Sequence, residues 1–205
     1  MDQKTVDSYN KIARDYQQRN SVSMWGREYS IFQLLTGKDK SVIDIGCGIG
    51  RDAPELIKLG FKYSGIDASE GMLKIAKESA PNADFLLGDF YQLPFPDAHF
   101  DCFWAVASFL HVPKADLPKV LKEARRVTMK HGFGVVAVKE RVEFNEGVIS
   151  ETKAGGIERY FAFYSEPEMR KALEANDLTV KEVTREREND EDQTMWLCFF
   201  VQKNC

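Results

Sequence analysis

Between Asp44 and Gly50 the chain reads Asp-Ile-Gly-Cys-Gly-Ile-Gly. Glycines at alternate positions let a backbone turn tightly and approach a ligand closely, because no Cβ stands in the way. Their spacing separates ligand classes. A dinucleotide loop needs GxGxxG, with the third glycine where the helix packs on the strand. Here glycines stand at 46, 48 and 50, position 51 is Arg, and Asp44 lies two residues before the first glycine. No phosphate-cradling GxxxxGKS or GxxxxGKT sequence occurs. Two further carboxylates follow. Asp67 lies about 20 residues beyond the glycines, where a carboxylate can take both hydroxyls of a ribose. Asp89 precedes Phe90, a pair suited to an exocyclic adenine amine and the face of its ring. Any one of these aspartates is ordinarily a turn residue or a helix cap. Three at successive strand ends, with a glycine loop at the first, point to a nucleoside site.

His111, in Phe-Leu-His-Val, is the best-placed candidate for a general base. An unperturbed imidazole titrates near neutrality and suits proton transfer there. A histidine that only caps or packs its loop is the competing reading.

Positioning these residues requires a particular succession of elements. Val6, Tyr9, Ile12, Ala13 and Tyr16 share one face of an opening helix, and a second amphipathic stretch runs from about Trp25 to Leu35. Short apolar runs at Ser41–Ile45, Phe61–Ile66, Ala83–Leu87, Phe100–Val106 and Phe133–Val138 read as buried strands. Helical patterns separate them at about Arg51–Leu59, from Ser69 onward, and at about Asp116–Met129. Alternating strands and helices predict a parallel sheet covered by helices. The remainder differs: Ser165-Glu-Pro-Glu168 forms a capping box for a helix to about Ala175, with Asn176 taking the left-handed turn at its end. Leu178–Thr184 and Met195–Val201 then read as two strands joined by the polar loop Arg185–Gln193, an antiparallel pair. The expected fold class is α/β: a Rossmann-like, doubly wound, mostly parallel seven-stranded sheet with an antiparallel C-terminal strand pair. Residues 1–205 read as one domain, with 1–38 as an N-terminal helical lid and about 139–165 as a substrate-side insert.

The 205 residues, 43% hydrophobic and 29% charged, describe an ordinary globular chain. A net charge of -4 argues against nucleic acid as a partner. No apolar stretch approaches membrane-spanning length, so no membrane association is expected. Cys47, Cys102, Cys198 and Cys205 form no CxxC pair, and His99, His111 and His131 show no ligand spacing, so no metal is expected. Reduced thiols suit the cytoplasm.

The pieces DIGCGIG, YSGIDAS, LLGDFYQLPFPDAHFD, FWAVASFLHV and RVTMKHGFGVVAV resemble the class I S-adenosylmethionine-dependent methyltransferases of the small-molecule type. The resemblance runs from about Tyr9 to Val201. It implies S-adenosylmethionine as cofactor, with Gly46, Cys47 and Gly48 facing its methionine part and Asp44 among the cofactor-binding residues. It implies Asp67 on the ribose, Ala68 and Met72 beside the adenine, and Asp89 and Phe90 bracketing the ring. The stretch Trp104–Ser108, with Ala105, would flank the sulfonium, and the helix carrying Tyr16 would close over the cofactor. His131-Gly132 stands where many relatives have Pro-Gly or Gly-Gly. Asn-Pro-Pro-Tyr and Pro-Cys motifs, typical of certain amino-group and cytosine methylations, are absent. The implied activity is methyl transfer to a small-molecule acceptor by in-line displacement. The alternatives are a protein that binds or senses the cofactor without turnover, and the same fold performing nicotinamide redox chemistry or aminopropyl transfer. Aromatics with polar tips suit the acceptor pocket. Trp25 and Tyr160, with Ser108, are the candidate acceptor contacts, beside Tyr29, Phe161, Phe163 and Tyr164. A monomer or homodimer is expected.

Overall fold

The computed structural model describes residues 2–151, 157–187 and 194–204. Two helices open it, α1 (Gln3–Asn20) and α2 (Gly26–Thr36). Strands and helices then alternate: β1 (Ser41–Ile45), α3 (Ala53–Lys58), β2 (Lys62–Asp67), α4 (Glu70–Ser79), β3 (Asp84–Leu87) and β4 (Phe100–Val106). A 3-10 turn at Phe109–His111 leads to α5 (Leu117–Val127) and β5 (Thr128–Lys139). A hairpin of β6 (Glu146–Glu151) and β7 (Ile157–Ala162) precedes α6 (Glu166–Glu174), β8 (Leu178–Arg187) and β9 (Met195–Lys203).

The main sheet has seven strands in the order β3-β2-β1-β4-β5-β9-β8. The first five are parallel, and β9 runs antiparallel to both β5 and β8. The expected Rossmann-like sheet with an antiparallel pair is therefore the observed one. The chain moves outward from β1 to β3 and returns to the other side of β1 as β4. Ligands of such sheets lie where the order reverses, at the carboxyl ends of the strands.

Burial follows the sequence pattern. Helix α5 turns Leu117, Val120, Leu121, Ala124 and Val127 inward, as their spacing requires. The central strands are apolar on both faces, with Ile43, Phe103, Val135, Val136 and Phe199 fully buried. Helix α4 starts at Ser69, whose side chain accepts from the Met72 amide.

Several details differ from expectation. Helix α5 ends two residues early, at Val127, because Thr128 turns its hydroxyl back onto the Ala124 carbonyl at 2.6 Å and the chain extends. Strand β5 consequently begins at Thr128 rather than Phe133. Asp177, not Asn176, adopts the left-handed conformation after α6, with φ 58°. The Asn176 side-chain Nδ2 instead donates to the Ala172 carbonyl at 2.8 Å and holds that residue in the turn. The insert after β5 is an ordered hairpin paired from Glu146↔Ala162 to Glu151↔Ile157, which the sequence pattern had not marked as strand. Of the polar loop expected at 185–193, Arg185, Glu186 and Arg187 instead continue β8 paired with Leu197, Trp196 and Met195, and 188–193 lie outside the described residues.

Candidate active site

The glycine loop leaves β1 at the reversal point and is tied to the end of β2. The amides of Gly46 and Cys47 both donate to the Ile66 carbonyl, at 2.8 and 3.0 Å. Gly46 has φ 79°, and a Cβ there would lie 2.4 Å from Cβ of Ser108, so the loop touches the segment after β4. Gly48 has φ 54°, and a Cβ there would meet no atom within 4 Å, because it faces open cavity. Asp67 fastens the other side. One of its oxygens accepts from the Gly48 amide and the other from the Ser69 amide, both at 2.8 Å. Burial raises the Asp67 pKa although these amides, with that of Ala68, oppose the rise.

The cavity so formed opens to solvent, and its empty space, open solvent at the mouth included, is about 680 Å³. Of the residues singled out from sequence, Tyr16, Asp44, Gly46, Cys47, Gly48, Asp67, Ala68, Met72, Phe90, Ser108 and His111 line it. Ser108 is buried, and its hydroxyl has no hydrogen-bond partner among the described residues. Ala107, beside it, is held at φ 58°, a costly backbone state of the kind that gathers at functional sites.

Four expected residues lie off the cavity wall. Trp25 is buried with its ring edge-on to Trp196, 5.4 Å away, so core packing claims it. Ala105 is fully buried in β4, and its neighbour Val106 faces the cavity instead. Asp89 turns back to accept from the Tyr91 amide at 2.9 Å. Tyr160 gives its hydroxyl to Glu146 at 2.6 Å, and its main-chain amide and carbonyl bind Thr5 and His111.

Sequence reasoning missed Arg51 and Asp52, which also line the cavity. Arg51 Nε donates to Asp52 Oδ1 at 3.1 Å. Asp52 also accepts from Tyr29 at 2.7 Å and from the Trp104 indole at 3.1 Å. Burial pushes its pKa up, but Arg51 and these donors outweigh burial and hold it below the usual value. Asp44 differs. It accepts from Tyr63 at 2.7 Å, and burial reinforced by the Asp52 charge raises its pKa well above the usual carboxylate range.

Helix α1 closes the cavity from above. Asn10 Oδ1 accepts from the Ser69 hydroxyl and the Gly71 amide, both at 2.8 Å. Ser8 donates to the Glu158 carbonyl at 2.7 Å, and Thr5 accepts from the Tyr160 amide at 2.9 Å. Between these anchors lies a directed chain of bonds. Arg159 donates to the Tyr9 hydroxyl at 2.7 Å, and that hydroxyl lies 2.8 Å from His111 Nε2. His111 Nδ1 lies 2.7 Å from the Tyr160 carbonyl. A carbonyl only accepts, so Nδ1 carries the hydrogen and Nε2 accepts from Tyr9.

Burial, with the nearby charges of Arg159 and Lys139, pushes the His111 pKa down to about 3, against the hydrogen bond that its Nδ1–H donates to the Tyr160 carbonyl. The ring is therefore neutral across the physiological range, and its free nitrogen is already taken. The sign of the stability effect follows. The unfolded chain takes up a proton near pH 6.5 that the folded chain refuses until about pH 3. This contribution is complete above about pH 6.5 and is lost as pH falls toward 3. Thermal unfolding of the wild type should lose stability over that interval more steeply than His111→Gln. Parallel curves for the two proteins would contradict the assignment of a buried neutral imidazole.

Among the described residues, no group of three or more His, Cys, Asp or Glu is arranged to hold a metal ion. No helix among them is long and apolar enough to cross a membrane.

The seven-stranded sheet carries the glycine loop at its reversal point and the Asp67 carboxylate at the end of β2. Residues 42–132 match the family model described as methyltransferase domain. A ubiquinone/menaquinone biosynthesis C-methyltransferase of Campylobacter jejuni is 29% identical over 149 residues, 65% of this chain and 63% of that protein. The 2-methyl-6-phytyl-1,4-hydroquinone methyltransferase of Synechocystis is 40% identical over 135 residues, 62% of this chain and 40% of that one. The chain thus spans less than two thirds of the length of these relatives. Among solved structures, a methyltransferase of Methanosarcina mazei superposes with a TM-score of 0.77 at 19% identity, over 85% of this chain and 97% of its own. The 1,6-didemethyltoxoflavin-N1-methyltransferase of Burkholderia thailandensis, solved with S-adenosylhomocysteine, gives 0.77 at 17%, over 98% and 85%. In sequence over residues 42–132 and in fold, the chain is similar to the class I S-adenosylmethionine-dependent methyltransferases.

Proposed function

We propose that the chain transfers the methyl group of S-adenosylmethionine to a small-molecule acceptor. The observation that carries this reading is Asp67, anchored by the Gly48 and Ser69 amides beside a glycine loop whose Gly48 opens onto the cavity. The residues present suit the group. Each Asp67 oxygen keeps lone pairs for a ribose hydroxyl, Met72 and Phe90 offer apolar walls for adenine, and the buried Ser108 hydroxyl awaits a partner. When bound, S-adenosylmethionine supplies a methyl group activated by a positively charged sulfur. The protein's part is alignment and exclusion of water, and alignment alone contributes roughly 7–11 kcal/mol in the best intramolecular comparisons.

Helix α1 serves as the lid over this cavity, and the hairpin β6–β7 forms the acceptor side. The relatives named above carry names describing methyl transfer to small molecules, a phytyl hydroquinone among them. With Nε2 of His111 engaged by Tyr9, His111 shapes the acceptor side and holds the lid rather than taking a proton directly. We place the protein in the cytoplasm, where its buried free thiols stay reduced. A monomer or homodimer without nucleic-acid partners fits its net charge.

Calorimetry tests the proposal. S-adenosylmethionine and S-adenosylhomocysteine should bind and NAD should not, and amide exchange in α1 should slow when S-adenosylhomocysteine is added. Binding of NAD with neither sulfur compound would overturn the proposal. Unchanged exchange would reduce α1 to a packing helix.

A further inference from the structure

We propose that Thr5 and Ser8 carry cofactor occupancy from the lid helix α1 into the hairpin β6–β7, so that the acceptor side is ordered around a bound cofactor. This rests on the cofactor and lid readings above and adds to them a coupling between the two sides of the site.

The hairpin stands apart from the main sheet as a two-stranded pair. Two strands alone are marginal in water, and an open strand edge leaves amides and carbonyls in need of partners. On β7 that edge is closed by side chains from distant parts of the chain. The Glu158 carbonyl accepts from the Ser8 hydroxyl at 2.7 Å, and the Tyr160 amide donates to Thr5 Oγ1 at 2.9 Å. The Tyr160 carbonyl accepts from His111 Nδ1 at 2.7 Å. Helix α1 thus stands where a third strand would otherwise lie. Both of its hydroxyl-bearing residues here are buried, so water does not compete for these bonds. The Thr5 hydroxyl gives its proton to Asp2, the N-cap of α1, at 2.8 Å, which leaves its lone pairs to the Tyr160 amide.

The two ends of the hairpin differ in their support. Its base is held by the body of the protein: Glu146 accepts from the Lys114 amide at 2.8 Å, and Phe161 and Ala162 are buried in the main core. Residues 158–160 are held through α1, where Arg159 also donates to Tyr9 at 2.7 Å, and through His111.

Away from the hairpin, α1 rests on α4 through Asn10, the exposed ion pair Arg14–Glu78, and an apolar cluster of Ala13, Ile49, Met72 and Ile75 that is separate from the main core. Exposed ion pairs contribute little, and a helix with few buried apolar contacts opens locally at low cost. Tyr9 and Tyr16 line the cavity, so a ligand there adds contacts to α1. Any opening that requires α1 to leave is then suppressed by about a hundredfold at a ligand concentration of roughly 100 times Kd. The same opening unties Thr5 and Ser8 from β7. Neither residue lines the cavity, and both are positioning residues that act through the hairpin.

The test is hydrogen exchange read by mass spectrometry, without S-adenosylhomocysteine and with it at about 100 times Kd, on the wild type and on the double variant Thr5→Val with Ser8→Ala. In the wild type the ligand should slow exchange both in α1 and around 157–160, by roughly tenfold to a hundredfold. In the double variant the slowing in α1 and the calorimetric Kd should stay within about threefold of wild type, while the slowing around 157–160 falls by about fivefold or more. Thr5→Ser, which keeps the hydroxyl, should behave as wild type. Three results overturn the proposal alone: wild-type slowing in α1 with none around 157–160, hairpin slowing that survives intact in the double variant, or an equal loss of slowing in both segments, which would mean that the hydroxyls only hold α1 in place. If the double variant does not fold, Ser8→Ala alone is used, and unchanged slowing around 157–160 in it overturns the proposal as well. Exchange in α1 that does not respond to bound ligand overturns the lid reading and this proposal together. Wild-type protein that binds no S-adenosylhomocysteine overturns the cofactor reading, and the proposal falls with it.

Discussion

Asp67→Ala is expected to weaken S-adenosylmethionine binding by roughly 10²–10⁴-fold while leaving the circular dichroism spectrum unchanged. Two hydrogen bonds donated by ribose hydroxyls to a charged carboxylate are lost, at roughly 1.5–3 kcal/mol each, and about 1.4 kcal/mol corresponds to tenfold in affinity. A second effect has the same sign. Asp67 receives the amides of Gly48 and Ser69, so its loss also frees the glycine loop that faces the ligand. Asp67→Asn keeps one carbonyl acceptor and should fall between Ala and wild type. Calorimetric dissociation constants within threefold of wild type for the Ala variant would remove Asp67 from the binding site.

Gly46→Val and Gly48→Ala should fail in different ways. At Gly46 the left-handed backbone costs roughly 1–2 kcal/mol for a residue with a Cβ. That Cβ would also stand 2.4 Å from Cβ of Ser108, and overpacking of this kind costs roughly 1–3 kcal/mol. Together these predict a melting temperature lower by roughly 5–20 °C, read by scanning calorimetry, with loss of binding. At Gly48 a Cβ meets nothing, so the variant bears only the left-handed backbone cost of roughly 1–2 kcal/mol; it should melt roughly 2–8 °C below wild type, yet bind poorly because its methyl group enters the cavity. A Gly46→Val protein that melts like wild type would show that the loop and the Ser108 segment can separate freely.

The carboxylates and glycines of the site were legible because they break an apolar pattern at strand ends. Asp44, Gly46, Gly48 and Asp67 interrupt runs that otherwise read as buried strands, and a strand end in a parallel sheet is where a ligand lies. Asp89 carries the same mark, yet its side chain folds back on the Tyr91 amide, as aspartates in turns commonly do. Arg51 and Asp52 gave no signal, since a charged pair opening a helix is unremarkable in one dimension. Their role appears only when Tyr29 from α2 and Trp104 from β4 converge on Asp52. Trp25 and Tyr160 show the reverse case. Aromatic side chains serve cores and pockets equally, and only packing decides between them: Trp196 takes the first and Glu146 the second. The hairpin β6–β7 escaped because its sequence lacks a strong alternation, and contacts from α1 and the turn at His111 supply the order that local preference does not.

The place of β9 in the sheet has a consequence for biosynthesis. It is the last strand in the described chain, yet it lies inside the sheet, paired on one side with β5 and on the other with β8. A ribosome that has delivered β1 to β5 has therefore made a sheet with a naked valine-rich rim at Phe133–Val138. That rim stays open until residues 195–203 emerge, and an unpaired apolar strand edge is a template for association with another nascent chain. Yield on refolding should accordingly fall with protein concentration, and agents that shield strand edges during translation should matter more for this chain than its finished surface suggests.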